Sequence, residues 1–180
     1  YETEQKTFEK YNLAKVPENA TGKMEITKNP DGTYSAETIV TYYYVKKSGG
    51  VTEKHIDINT NKILEQKIHT GNVGESYNIP SKEFGGYDLV EKDENGNNML
   101  PQNSQGQMTE EPIEVTYYYE KQAKVKVEYI DKHTGEKLAE DEIKGHEGDP
   151  YETEEKEFDG YDLIEIPNNN KGEMTAKEIV

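Results

Sequence analysis

Residues 71–89 read GNVGESYNIPSKEFGGYDL, and residues 145–163 read GHEGDPYETEEKEFDGYDL. Both stretches open with Gly-x-x-Gly-x-x-Tyr (Gly71, Gly74 and Tyr77 against Gly145, Gly148 and Tyr151) and close with Phe-x-Gly-Tyr-Asp-Leu, always offset by 74 positions. Self-similarity at one fixed spacing marks a repeat array in which each copy is one small structural unit. Working outward, an earlier copy of the closing motif is Phe8-Glu9-Lys10-Tyr11-Asn12-Leu13. Gly22 and Met24 return as Gly106 and Met108 and as Gly172 and Met174, and Val40-Thr41-Tyr42-Tyr43-Tyr44 returns as Val115-Thr116-Tyr117-Tyr118-Tyr119. On this ruler of about 75 residues the chain divides into the C-terminal half of a repeat (1–45), a complete repeat (51–119) and a third (125–180) that lacks its last strand. The junctions Lys46–Gly50 and Glu120–Lys124 are short and polar, which predicts an elongated row of modules with few contacts between them.

Within a module the apolar period is two. Val125, Val127 and Tyr129 alternate with Lys126 and Glu128, and Ile113, Val115, Tyr117 and Tyr119 alternate with Glu114, Thr116 and Tyr118. That is the pattern of antiparallel strands with one buried and one wet face, so the expected fold class is mainly β, α+β at most. His133-Thr134-Gly135-Glu136 predicts a hairpin turn leading into a strand over 137–144. Residues 151–158 are too short and acidic for more than a helical turn, 160–166 predict a strand ended by Pro167, and 174–180 begin another. Insertions such as Asn29-Pro30-Asp31-Gly32 and Asp93–Asn98 are polar and fall at turns. One copy departs from the pattern: Val51, Glu53 and His55 stand where the third repeat has Val125, Val127 and Tyr129. Either the register shifts to use Ile56 and Ile58, or this hairpin is loose. The segment 1–45 lacks the first hairpin against which its strands would pack, so it is expected to be poorly protected or completed by strand exchange through Thr38–Val45 with another chain.

Composition bounds the function. The 180 residues carry a net charge of −16, no Cys, no Trp and 14 Tyr. Leu, Ile, Val and Phe number 32 of 180, under the fifth below which high charge signals disorder, and the tyrosines restore part of the missing apolar area. Thin cores in several modules follow, held without disulfides. No apolar run is long enough to insert in a membrane, and the first residues resemble no signal peptide, so targeting and anchoring segments are expected outside this segment. Asp and Glu total 37, so pairs of carboxylates arise by chance everywhere and no cleft is marked; the chain is not expected to be an enzyme or to need a cofactor. His55, His69, His133 and His146 show no metal-ligand spacing. Asp93-x-Asn95-x-Asn97 imitates the start of a calcium loop, a weak signal, because glycine stands fourth instead of sixth and no placed bidentate Glu follows. Nucleic acid is excluded as a partner, since no basic stripe exists to meet phosphate.

In each tyrosine triplet the outer pair (Tyr42 and Tyr44, Tyr117 and Tyr119) shares a face with Val40 or Val115 and is expected in the core. Tyr43 and Tyr118 then point the other way, where an exposed ring can stack on sugar or simply serve as a good strand former. The ordered set Val-x-Val-x-Tyr-x-Asp with Thr-Gly (Val125 to Gly135), Gly-x-x-Gly-x-x-Tyr, Gly-Tyr-x-Leu, Gly-x-Met and Val-Thr-Tyr-Tyr-Tyr resembles the MucBP repeat, the mucin-binding-protein repeat of Gram-positive cell-wall adhesins. The resemblance covers nearly the whole chain. It implies tandem ubiquitin-like β-grasp modules, an extracellular wall-attached protein, and binding of mucin or other host glycoprotein glycans. A segment this acidic repels sialylated and sulfated mucin, so contact must be local, weak per module and multivalent. The alternative is a spacer stalk that binds nothing and holds a distal domain away from the wall.

Overall fold

The computed structural model describes residues 1–175, and every regular element among them is a strand. In chain order these are β1 (Tyr11–Lys15), β2 (Thr27–Lys28), β3 (Tyr34–Ser35), β4 (Tyr43–Lys46), β5 (Val51–Asp57), β6 (Ile63–His69) and β7 (Ser76–Asn78). Then follow β8 (Tyr87–Leu89), β9 (Gln105–Gln107), β10 (Ile113–Ile130), β11 (Lys137–His146), β12 (Pro150–Glu152) and β13 (Lys171–Glu173). The mainly-β expectation holds. Residues 151–158 form no helical turn; their start belongs to β12, paired to β13 through Tyr151 and Gly172. Residues 160–166 form no strand. Their equivalent in the second repeat, β8, pairs with the tyrosine strand of that repeat. The strand read over 174–180 falls almost wholly outside the described residues.

The largest sheet runs β11-β10-β5-β6, with β8 also on β10. Its spine is β10, an 18-residue strand that passes straight through the polar segment 120–124 read as a junction. Tyr119 pairs with Leu89 and Lys121 with Tyr87, and one residue later Gln122 opens the ladder to His146 that ends at Ile130 and Lys137. The cause is parity. Tyr119 and Val125 are six positions apart, an even number, so the same strand face serves the closing core of one repeat and the opening core of the next. At the preceding junction Tyr44 and Val51 are seven apart, and one strand could not keep both on one face. There β4 stops, and the chain turns through Gly49 and Gly50. Gly50 adopts φ 84°, and a Cβ on Gly49 would lie 2.7 Å from Glu110 O.

Contacts divide the chain into two compact units whose boundary cuts the second repeat. The first comprises Tyr1–Glu53, Lys67–Ile79 and Gln102–Val115; the second comprises Lys54–Gln66, Pro80–Pro101 and the chain from Thr116 on. In the first unit Val51, Ile79, Met108 and Val115 are buried; in the second, Val90, Tyr117, Tyr119, Val125, Tyr151 and Met174 are. The recurring motifs are packing devices. The rings of Tyr1, Tyr77 and Tyr151 lie over Gly22, Gly106 and Gly172, where a Cβ would come within 3.0 to 3.3 Å of them. Each hydroxyl donates to the carbonyl of Asn19, Asn103 or Asn169 in turn.

Candidate functional site

Of the outer tyrosines, Tyr117 and Tyr119 lie in the core as the alternation requires, whereas Tyr42 and Tyr44 are only half-buried. Tyr117 and Tyr119 are buried beside Val115, and each closing tyrosine is clamped at its tip. Tyr44 Oη donates to Lys6 O (2.7 Å) and accepts from Lys6 N (3.1 Å). Tyr119 Oη donates to Lys82 O (2.9 Å) and accepts from Lys82 N (3.1 Å). Phe8 meets the Tyr44 ring edge-on at 4.8 Å, and Phe84 meets Tyr119 in the same way at 5.0 Å. Lys6 and Lys82 were not singled out in the sequence, because their role is played by backbone atoms that any residue carries.

Of the two candidate stacking tyrosines, Tyr118 is half-buried on the opposite face of β10. Tyr43 is 67% exposed and forms one wall of an open groove of about 280 Å³. Lys15, Pro17, Glu18, Asn19 and Thr41 complete it. Asn19 is fixed by donating its side-chain amide to Ile39 O at 2.9 Å, as Asn103 donates to Glu114 O at 2.8 Å, and Lys15 pairs with Glu18 at 3.1 Å. The result is an aromatic and proline surface with polar groups along its rim.

Asp93, Asn95 and Asn97 meet in one turn, organised around the Asp93 carboxylate. It accepts from Asn95 N (2.9 Å), Asn97 N (2.8 Å) and Asn97 Nδ2 (2.8 Å), and the Asn97 bonds, side chain first, hold its carboxyl below the usual range. Asn97 thus turns the N–H end of its side-chain amide toward Asp93, and Asn95 contributes only its backbone N–H. Among the described residues no group of three or more His, Asp or Glu side chains is arranged to hold a metal ion.

The departure in the second repeat resolves in a way neither sequence expectation allowed. The register does not shift and the strand is not loose: Val51, Glu53, His55 and Asp57 are all buried, at 0%, 3%, 0% and 2% exposure. Ile56 lies half-buried on the other face. The polar face is tolerated because its groups are paired. Glu53 Oε2 lies 2.6 Å from His69 Nε2. His55 Nδ1 lies 2.9 Å from Tyr119 Oη, with its ring stacked on Tyr117 at 5.5 Å and 8°. The Tyr119 hydroxyl thus joins the His55 ring to the backbone of Lys82. Asp57 accepts from Asn59 N (3.0 Å) and Thr60 N (3.1 Å), as Asp131 accepts from His133 N (2.8 Å) and Thr134 N (3.3 Å) in the expected hairpin turn of the third repeat. Asn61 takes the left-handed conformation, φ 57°, where the third repeat has Gly135.

Comparison with known proteins agrees with this repeated plan. The family model described as MucBP domain matches residues 1–45, 50–120 and 124–179. Internalin J of Listeria monocytogenes serovar 1/2a is 31% identical over 184 residues, covering 98% of this chain and 20% of that protein. Internalin I of Listeria monocytogenes serotype 4b is 30% identical over 148 residues, covering 78% of this chain and 8% of its own length. The chain therefore spans a fifth or less of the curated relatives it matches. With three matched segments that together cover almost all of it, the chain belongs to the MucBP domain family.

Proposed function

We propose that this chain is part of the repeat region of a surface adhesin displayed on a Gram-positive bacterium, binding mucin or other host glycoprotein glycans weakly at each repeat and firmly through several. The observation that carries the reading is the threefold MucBP match. The geometry supports it through Tyr43, an aromatic ring kept 67% exposed on a strand whose neighbouring tyrosines are clamped. In the same proposal each repeat is a β-grasp-like module with the boundaries 1–45, 51–119 and 125–180, and the first segment is completed by strand exchange with another chain through Thr38–Val45.

The experiment is mucin-plate and glycan-array binding by the full 180-residue chain and by Tyr43→Ala. Binding by the parent chain and at least a severalfold loss in the variant, at unchanged melting temperature, is the expected result. A second reading, a spacer stalk, is favoured by the unbroken β10, which runs from the second repeat into the third. It predicts no glycan binding by either protein.

A further inference from the structure

The two joints between repeats are built on one plan with different chemistry. At the first, β1 lies against β4, and Val73 N donates to Lys46 O at 2.9 Å. Beside that bond Asn12 Nδ2 donates to Asn72 Oδ1 at 2.7 Å. At the second, β8 lies against β10, and Glu147 N donates to Lys121 O at 2.8 Å. Asp88 now stands at the position of Asn12 and His146 at that of Asn72, with His146 Nε2 and Asp88 Oδ2 3.0 Å apart. An amide pair that cannot titrate has been replaced, at the same two positions, by a carboxylate and an imidazole.

The surroundings of His146 are acidic. Its Nδ1 faces Glu120 Oε2 at 3.5 Å and Asp149 Oδ2 at 3.6 Å, and its backbone N donates to Asp149 at 2.7 Å. Asp88 also accepts from Gln122 Nε2 at 2.7 Å, and that bond first, then His146, holds its carboxyl below the usual range, so it stays charged in mild acid. The cations nearby are otherwise engaged: Lys121 with Glu147 at 3.8 Å, and Lys124 and Lys144 with Glu142 at 3.2 and 3.4 Å. A neutral imidazole has one N–H and can serve only one side of this ring of carboxylates. A charged one donates from both nitrogens, to Asp88 on β8 and toward Glu120 and Asp149 on the other side.

We propose that the joint between the second and third repeats is a proton-operated latch, tightened when His146 is charged and bridges Asp88 to Glu120 and Asp149, whereas the Asn12–Asn72 joint ignores pH. The joint stiffens when the imidazole takes up its second proton, and so as the medium is acidified. The stiffness in turn sets whether neighbouring repeats can meet one extended partner together.

Amide hydrogen exchange on the full chain tests it, because each joint carries one equivalent backbone bond and the first serves as an internal reference. After correction for the intrinsic pH dependence of exchange, Glu147 should gain about threefold to tenfold in protection between pH 7.5 and pH 5.5, the scale of one surface charge-assisted hydrogen bond. Val73 should gain nothing. The double variant Asp88→Asn with His146→Asn, which copies the first joint, should make Glu147 as indifferent to pH as Val73. Equal responses of Glu147 and Val73 in the parent chain would overturn the latch, even if the variant failed to fold. So would a pH response that survives His146→Asn.

Discussion

His69→Ala is the sharpest probe of the polar face of β5, because it removes the exposed half of a pair and strands the buried half. Glu53 is 3% exposed, while the side chain of His69 is 26% exposed, and the two are joined at 2.6 Å. Leaving a buried carboxyl without its hydrogen-bond partner costs about 1–3 kcal/mol, more for a charged group, which places this case near 2–3 kcal/mol. The reciprocal change costs less, about 1 kcal/mol, because His69 left alone can turn to solvent while valine fills the vacated space. The third repeat supplies the control: Val127 and Ile143 occupy the positions of Glu53 and His69, and both pack on the Val125–Tyr151–Met174 cluster. Glu53→Val combined with His69→Ile should therefore be neutral, or stabilising by about 1–2 kcal/mol, as apolar replacements of buried pairs often are.

The assay is amide exchange in β5 and in the Ile113–Tyr119 part of β10 in the full chain, which reads the second repeat separately from the others. A loss of about 2 kcal/mol is roughly a 30-fold fall in protection. His69→Ala should show that fall, Glu53→Val a fall of about fivefold, and the double variant none. If the double variant falls as far as His69→Ala, the pair is not separable from the rest of the core and the asymmetry argument fails.

Tyr119→Phe removes the hydroxyl that bridges His55 and Lys82 O, and should cost about 1–3 kcal/mol by denaturant titration, whereas Tyr118→Ala should change stability by under about 1 kcal/mol. Gly106→Ala places a Cβ 3.2 Å from the Tyr77 hydroxyl and should cost about 1–3 kcal/mol by thermal melting. The Asp131 turn should loosen in acid: backbone hydrogen bonds, led by His133, lower its pKa, so its contribution is complete above the ordinary carboxylate range and disappears as pH falls through the depressed value. His133 and Thr134 amide shifts followed from pH 6 to pH 2 check the sign, which would be wrong if those amides loosened on raising the pH instead.

Much of this fold could be read from residue spacing, and what could not depends on partners distant in sequence. Period two along Ile113–Tyr119 and Val125–Tyr129 gave the strands and sent Tyr117 and Tyr119 inward, because side-chain direction in a strand is set by position alone. The burial of Glu53 and His55 could not be read that way. What neutralises them lies 16 and 64 positions off, in His69 and in the hydroxyl of Tyr119. A signal was present nonetheless: relative to the third repeat, Val127 and Ile143 are replaced together by an acid and a base, the change expected of residues in contact and not of a decaying strand. The course of β10 was also encoded, in the parity of six against seven residues between the closing tyrosine and the opening valine. Polarity alone marked both junctions as linkers, yet polar residues are as much at home on the wet face of a continuous strand. One glycine inserted between Ala123 and Lys124 would turn six into seven. It should break β10 there as Gly49–Gly50 breaks the first joint, or else turn Val125 out to solvent. Unchanged protection of both the Glu120 and the Val125 amides in that variant would show that parity does not control the joint.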